Sequence, residues 1–348
     1  MARIKQRKPK KKLDQLLISN KPAWCDYADK TLVPKYIVYR FDDRNDNRFY
    51  FFLAKIDVVV IASGVTDPFG KVSTEREAIA IWKEKHPNWR VLLRVSSEYG
   101  TDLHIIAGNI LLKKGVDFTL LEAMKKIATE NGQSADMPAK DVLSLLKFQE
   151  DYELIPLLVE AQLAYHDPKT NEWMCLTIDL LTKMVVTEVT KTMVEDGVYQ
   201  RGDKKGQPKF VEQRTETRRE KLMIGDLKSN FFEKEDKSYY ETHRMQLIAG
   251  MRAVEQNFGL KVDGVFNLSP KSWHTTPSYS YFEHKITDED NMIFDAYWNL
   301  IVAKKLNVPK GHLLITNGFK DSSDFKLKSY QEYAEEVLLP ITPKTGTE

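Results

Sequence analysis

An acid and a lysine end one apolar stretch of this sequence, LMIGDLKSN at residues 222–230. If the stretch is a strand, Asp226 and Lys228 point to one face, because side chains i and i+2 share a face. Taken alone, the pair is best explained as an exposed ion pair of an edge strand, worth about 0–1 kcal/mol. A catalytic interpretation therefore needs further acids on neighbouring segments.

A predicted β-hairpin supplies two such acids. Its strands cover residues 154–166 and 172–181, joined by the turn DPKTN. Glu160 and Asp179 are equidistant from the centre of that turn, so a regular hairpin without a bulge places them directly opposite one another. Like charges in that position are destabilising unless a cation lies between them. Carboxylates are the ligands that Mg2+ prefers, so the pattern predicts a site for Mg2+, with Mn2+ as an alternative.

Acids and a lysine in this arrangement suit the hydrolysis of a phosphodiester bond. A carboxylate-held metal lowers the pKa of its bound water and screens the phosphate. Lys228 can orient or deprotonate that water, or stabilise the oxyanion. The electrostatic role is favoured, because neighbouring acids keep the pKa of a lysine high unless it is also buried.

Three further polar residues lie on segments with helical periodicity. His104 lies beside an apolar stripe, where a lone histidine is most often structural. His243 and Gln246 are three residues apart and therefore share a helix face, although simple surface exposure also explains Gln246.

Composition limits the alternatives. The chain has 348 residues, 42% of them hydrophobic, and no apolar stretch approaches the roughly 20 residues that cross a bilayer. Cys25 and Cys175 are the only cysteines, which excludes a four-cysteine zinc or iron–sulfur site. The stretch GVTDPFGKVS at residues 64–73 has the wrong glycine spacing for a Walker loop, and Val72 stands where a hydroxyl must reach Mg2+. We expect a cytoplasmic protein with no membrane partner, no bound nucleotide and no iron–sulfur cluster.

The predicted elements alternate between strands and helices. Strands are expected at residues 34–41, 48–62, 221–230, 261–269 and 278–284 in addition to the hairpin, with helices at 73–89, 99–115, 139–154, 238–259, 288–306 and 329–339. The charged, glycine-punctuated stretch at about 182–220 predicts an inserted β-hairpin. Residues 3–12 carry seven basic residues and no acid; a solubilising tail and an arm attracted to nucleic acid are equally compatible with them.

Five of these motifs, in this order, resemble the PD-(D/E)XK nuclease superfamily in its RecB-type and phage exonuclease branches. They are GTDLH ending at His104, Glu160 in LLVEAQL, Asp179 in LTIDLL, DLKS at residues 226–229 and Gln246 in HRMQL. The resemblance covers roughly residues 63–284. It implies that His104, Asp179 and Asp226 hold the metal, that Glu160 supports the cluster, that Lys228 is the catalytic lysine and that Gln246 completes the site.

The sequence departs from the family pattern at several positions. Leu176 replaces a glycine before the TID motif, and Gly250 stands where many relatives carry a tyrosine. The interval from Asp179 to Asp226 is longer than usual, which implies an inserted hairpin.

The resemblance implies an α/β fold with a central mixed β-sheet flanked by α-helices. The expected organisation is a basic segment at 1–30, strands and a helix at 31–95, a nuclease core at 96–285 with the inserted hairpin at about 182–220, a helical extension at 286–340 and a tail at 341–348.

The expected function is a metal-dependent deoxyribonuclease, with an exonuclease of phage or bacterial DNA recombination, repair or replication as the preferred form. The alternatives are a binding or structural protein that keeps the fold without catalysis, and an endonuclease. The expected partners are DNA and a single-strand annealing, replication or recombination protein, and a homo-oligomer is compatible with the pattern. The candidate DNA contacts are Ser229, His243, Lys204, Lys205, Arg218 and Arg219. For the hairpin cations, a solvated charged face is equally compatible, because acids alternate with them.

Overall fold

The structure, a computed structural model, describes residues 32–42, 48–55, 58–73, 76–232 and 239–308. Its main feature is a five-stranded mixed sheet in the order β4-β5-β6-β7-β8, in which only the β6–β7 pair is parallel. The strands are β4 (Ile155–Asp167), β5 (Glu172–Val198), β6 (Pro208–Leu227), β7 (Gly264–Pro270) and β8 (Tyr279–His284). The expected α/β class with a central mixed sheet is therefore confirmed at this level.

Seven helices surround the strands in the described ranges. They are α1 (Thr66–Val72), α2 (Arg76–Lys85), α3 (Trp89–Leu111), α4 (Phe118–Glu130), α5 (Met137–Asp151), α6 (Glu241–Phe258) and α7 (Asp288–Ala303). Helix α6 packs against the main sheet, where Gly250 approaches Ile178 and Ile224. Helix α3 also packs on this sheet, where Gly108 approaches Val159 and His104 bonds Glu160. None of the described helices is both long and apolar enough to cross a membrane.

A second, antiparallel sheet packs against the hairpin formed by β4 and β5. It contains β1 (Val38–Asp42), β2 (Arg48–Lys55) and β3 (Val58–Ser63) in that order. Val38, Tyr50 and Phe52 form a small core with Ala164 and Cys175. Cys175 is a free, fully buried thiol.

Strands β5 and β6 continue together far beyond the main sheet. Their pairing runs without interruption from Leu180↔Gly225 to Glu195↔Phe210, and it resumes at Val198↔Pro208 after an irregularity. We call residues 186–219 the arm. All side chains at 189–198 and 210–220 are exposed, so the outer arm is a two-stranded ribbon that is open to solvent on both faces. The predicted hairpin at about 182–220 is thus an extension of two core strands.

Several predicted elements differ from the observed ones. Residues 48–62 form two strands, β2 and β3, and residues 66–72 of the rejected Walker stretch form α1. The helix expected at 73–89 ends at Lys85, before Pro87, and α3 begins at Trp89. Helix α4 was not predicted. The basic segment at 1–30, the helix at 329–339 and the tail at 341–348 lie outside the described residues.

Candidate metal centre

The register of three adjacent strands brings the predicted acids together. Val159 pairs with Leu180 and Ala161 with Ile178, so Glu160 stands across from Asp179. On the other side of β5, Leu180 pairs with Gly225, which places Asp179 beside Asp226 at the end of β6. The bulge in the hairpin lies between Pro156 and Leu158, on the far side of Glu160 from the turn. It therefore leaves the register at the acids intact.

The backbone at Glu160 adopts a left-handed conformation, with φ of 50°. Such a conformation costs a residue with a side chain about 1–3 kcal/mol, and it tends to be found at functional sites. The Gln162 amide donates a 2.7 Å hydrogen bond to the Glu160 carbonyl oxygen, which satisfies that group within the distorted ladder. The backbone of β4 is therefore strained at Glu160, the residue whose carboxylate belongs to the cluster.

His104 lies between two of the acids. Its Nδ1 is 2.8 Å from Glu160 Oε1 and 3.7 Å from Asp179 Oδ2, and its Nε2 is 3.0 Å from the carbonyl oxygen of Leu227. Asp179 Oδ2 also accepts a 2.8 Å hydrogen bond from the Leu227 backbone amide. His104, Glu160 and Asp179 each offer a ligand atom, and these atoms all lie within 4.8 Å of one another.

Asp226 and Lys228 form the next part of the site. Lys228 Nζ donates a 2.7 Å hydrogen bond to Asp226 Oδ1, and the Asn267 amide donates to Asp226 Oδ2. His284 Nε2 lies 2.6 Å from Asn267 Oδ1, so His284 donates there and fixes the orientation of the amide. In this arrangement the Asp226 carboxylate is turned toward Lys228 and Asn267, and Asp226 is outside the three-residue cluster.

The pKa values of the site follow from burial and mutual charge. Burial raises the pKa of Asp179, and the nearby Glu160 carboxylate raises it further, against the lowering effect of His104 and Lys228. Burial likewise raises the pKa of Asp226, although Lys228 opposes it. Burial alone lowers the pKa of Lys228, but Asp226 and Asp179 outweigh it and raise the pKa. The Lys228 ammonium therefore stays charged at neutral pH.

His104 carries a positive charge at neutral pH. Burial lowers its pKa, but the carboxylates of Asp179 and Glu160 outweigh burial and raise it to about 9. Both ring nitrogens then donate, Nδ1 to Glu160 and Nε2 to Leu227. The imidazolium thus lies beside the two carboxylates, Glu160 and Asp179, whose negative charge a bound metal ion would neutralise.

Two glycines open the space that this packing needs. A Cβ on Gly225 would lie 2.4 Å from the Phe266 ring, so no larger residue fits before Asp226 without movement of Phe266. A Cβ on Gly100 would lie 3.1 Å from Ser229 Oγ. Gly100 therefore lets α3 lie close to the segment after Lys228, which brings His104 to the acids.

The acids face a pocket of about 530 Å3, part of which is open to solvent. Its lining includes His104, Glu160, Asp179 and Asp226, and side chains such as Phe148, Leu180 and Phe266 make most of it apolar. Apolar walls strengthen electrostatic interactions inside the pocket and raise the cost of unbalanced charge.

The donor set fits a divalent cation. The Leu227 carbonyl holds Nε2–H of His104, so Nδ1 is the nitrogen that faces Glu160 and Asp179 once it loses its proton, a tautomer control common at metal-bound histidines. One imidazole nitrogen and two carboxylates suit Mn2+ and are compatible with Mg2+. Balancing two adjacent, half-buried carboxylates is also a physical reason for a cation here.

The other predicted site residues lie at different distances from this cluster. His243 lies at the start of α6, and its charge lowers the pKa of Asp226, so it belongs to the electrostatic surroundings of the site. Gln246 is half-buried one turn later and makes no hydrogen bond with the cluster among the described residues. Ser229 follows Lys228 against Gly100.

The predicted DNA contacts in the inserted hairpin lie in two places along the arm. Lys204 and Lys205 are at its end, whereas Arg218 and Arg219 are near its base, where Arg218 pairs with Glu153 and Arg219 with Glu188 at 3.6 Å.

Asn267 and His284 contribute to the site but were not predicted. Asn267 is fully buried and His284 nearly so. Asn267 lies in the FNLS stretch after the glutamine helix, and only the parallel pairing of Asp226 with Asn267 brings it to the acid. The sequence does contain one indication of this role: Asn267 interrupts an apolar strand, and a polar side chain that is buried in this way needs a hydrogen-bond partner.

Compared with known proteins, the sequence matches no family model and no curated protein sequence. Any functional conclusion therefore rests on the residues and their geometry.

Proposed function

We propose that this protein is a metal-dependent nuclease that hydrolyses phosphodiester bonds in DNA. The observation that supports it most is the convergence of His104, Glu160 and Asp179, with the Asp226–Lys228 pair beside them. The proposal takes its chemistry from the PD-(D/E)XK resemblance, in which acids and a histidine hold Mg2+ or Mn2+ and a lysine acts at the phosphate. It departs from the expected ligand set, because the cluster contains Glu160, whereas Asp226, expected as a ligand, instead pairs with Lys228. Exonuclease action on DNA ends, in recombination, repair or replication, is the preferred form of the proposal.

Each residue has a physical role in this reaction. A divalent cation bound by His104, Glu160 and Asp179 would supply a nucleophilic water at neutral pH and screen the phosphate charge. The Lys228 ammonium stabilises negative charge on the phosphoryl oxygens, because its pKa is raised and it stays protonated. Asp226 holds that ammonium in place through the 2.7 Å hydrogen bond.

Asn267 and His284 position Asp226. The Asn267 amide leaves one carboxylate oxygen of Asp226 for Lys228, and His284 prevents the amide from flipping.

The experiment is digestion of a duplex labelled at both ends and of covalently closed circular DNA, each with Mg2+, with Mn2+ and with EDTA. The proposal predicts metal-dependent loss of the linear duplex with the circle intact, and no cleavage in EDTA. Cleavage of the circle would indicate an endonuclease. An absence of cleavage by wild-type protein with either metal would favour the alternative of a binding or structural protein.

The matched control for the chemistry is Lys183→Ala. Lys183 lies on the same strand as Asp179, is exposed and pairs with Glu220 at 3.1 Å. Its removal should leave cleavage unchanged, whereas Lys228→Ala should abolish it.

A further inference from the structure

The arm carries its charges in two distinct arrangements. Its shaft, residues 186–198 and 210–219, contains four basic residues and five acids. Its tip, residues 199–209, contains four basic residues and one acid, Asp203. The shaft is therefore close to neutral, and the excess positive charge of the arm is concentrated at its far end.

The charges of the shaft neutralise one another, both across the two strands and along β6. Glu212 lies 3.3 Å from Lys191 and 2.8 Å from Arg214, and Arg219 lies 3.6 Å from Glu188. Exposed ion pairs of this kind contribute little stability. They do, however, leave the shaft without a continuous basic surface for a polyanion.

The tip is an ordered turn that presents its cations to solvent. Tyr199 and Gly206 form a backbone hydrogen bond of 2.9 Å, and the Tyr199 amide donates to Gln207 at 3.0 Å. Gly202 and Gly206 adopt positive φ values of 78° and 84°, which the tight turn requires. Three of the four cations, Arg201, Lys204 and Lys205, are exposed.

The tip is far from the metal centre along a single strand. Leu180 lies in the wall of the pocket, and Val198 lies at the base of the tip, 18 residues further along β5. At about 3.3 Å per residue, allowing for strand twist, the two points are about 50–60 Å apart. A duplex rises about 3.4 Å per base pair, so that separation corresponds to about 15–18 base pairs.

We propose that the tip of the arm is a second DNA-binding site, which contacts the phosphate backbone of the same duplex that enters the metal centre. This inference rests on the proposed nuclease function. The chemistry is electrostatic: a compact group of exposed cations releases condensed counterions from DNA and binds without sequence preference. The length of the arm then sets a minimum duplex length for simultaneous contact with both sites, because a 10-base-pair duplex spans only about 34 Å.

The test compares binding of 10- and 30-base-pair duplexes, labelled with fluorescein and measured by anisotropy in EDTA over a range of salt concentrations. The test variant is Lys204→Glu with Lys205→Glu. The matched control is Lys125→Glu with Lys126→Glu, an adjacent pair of lysines on α4 with side chains that are 48% and 75% exposed. Both variants change the net charge equally.

The tip variant should bind the 30-base-pair duplex at least about tenfold more weakly than wild type, with a salt dependence lower by about two counterions. Its affinity for the 10-base-pair duplex should change much less, and the control should retain both affinities. Equal binding of the long duplex by the tip variant and wild type, or equal losses in the control, would overturn the proposal.

A cleavage assay on the same variants separates this inference from the nuclease proposal. If wild type binds DNA in the predicted way but cleaves none with Mg2+ or Mn2+, the nuclease function fails and the second DNA site stands. If wild type cleaves DNA and the tip variant cleaves and binds equally well, the second site fails and the nuclease function stands. Failure of wild type to bind either duplex overturns both.

Discussion

Asp179→Asn should have opposite effects on stability in the absence and presence of metal. Burial raises the pKa of Asp179 in the folded state, so its ionised form is less favourable there than in the unfolded chain. Asparagine has the same shape, has no charge and can still accept the Leu227 amide hydrogen bond. In EDTA at neutral pH, we therefore expect the variant to be more stable than wild type.

Metal should reverse this order. A ligand that binds only the folded state stabilises it by RT ln(1 + [L]/Kd), which is about 2.7 kcal/mol at a concentration of 100 Kd. Wild type should gain about that amount with saturating Mn2+. The variant loses one of the three clustered ligands, so its gain should be small.

The assay is thermal unfolding by calorimetry, in EDTA and across a Mn2+ series. An exposed acid outside the cluster, Asp136, provides the control: Asp136→Asn should respond to Mn2+ as wild type does. Wild-type stability that does not change with Mn2+, or an equal gain in Asp179→Asn, would refute the assignment of Asp179 as a ligand. Lower stability of the variant in EDTA would refute the argument from burial.

Three further predictions concern single residues. Lys228→Ala should abolish cleavage but leave the affinity for DNA nearly unchanged, measured by digestion and anisotropy; retained activity would remove Lys228 from the mechanism. Burial raises the pKa of Asp141 to about 6, against hydrogen bonds that lower it, so the folded state binds this proton more tightly than the unfolded chain. Protonation of Asp141 therefore contributes about 3 kcal/mol to the free energy of unfolding below about pH 4, and this contribution is lost as pH rises through about 6. Urea unfolding of wild type at a series of pH values should show the loss, whereas Asp141→Asn should not show it. Gly225→Ala should destabilise the fold by about 1–3 kcal/mol in the same assay, because its Cβ meets Phe266, whereas Gly70→Ala, where a Cβ meets nothing within 4 Å, should not.

The relative positions of Glu160 and Asp179 could be predicted from the sequence, because the position of the turn in a regular hairpin determines which residues of its two strands lie opposite one another. Glu160 and Asp179 are equally far from the DPKTN turn, and the observed register places them opposite one another. The turn is fixed by Asp167, whose carboxylate accepts hydrogen bonds from the amide and hydroxyl of Thr170. Asp226 near the end of β6 and Lys228 just after the strand lie on the same side, as their spacing indicates.

Other parts of the site depend on long-range packing that local pattern does not encode. Asp226 and Asn267 are separated in the sequence by helix α6, and the parallel pairing of β6 with β7 brings them together. The left-handed backbone at Glu160 is likewise not indicated by the residues around it in the sequence. Helix α4 went unpredicted, although Asp117 caps it through hydrogen bonds from the amides of Thr119 and Leu120.

The length of the arm could not be predicted from the sequence either. Its residues alternate in charge and carry glycines at 197, 202 and 206, which indicates a hairpin but not where the hairpin leaves the sheet. The hairpin leaves the sheet where β4 ends. Beyond the pair Ile155↔Lys183, β5 is paired with β6 on one side and has no partner strand on its other side among the described residues.

The central claim is that one divalent ion is held by side chains from α3, β4 and β5. The most direct measurement is an anomalous difference map from a crystal of the protein grown with Mn2+. We predict a single strong peak within bonding distance of His104 Nδ1 and the carboxylates of Glu160 and Asp179. A map with no peak among these three side chains, at a Mn2+ concentration that supports cleavage, would contradict it.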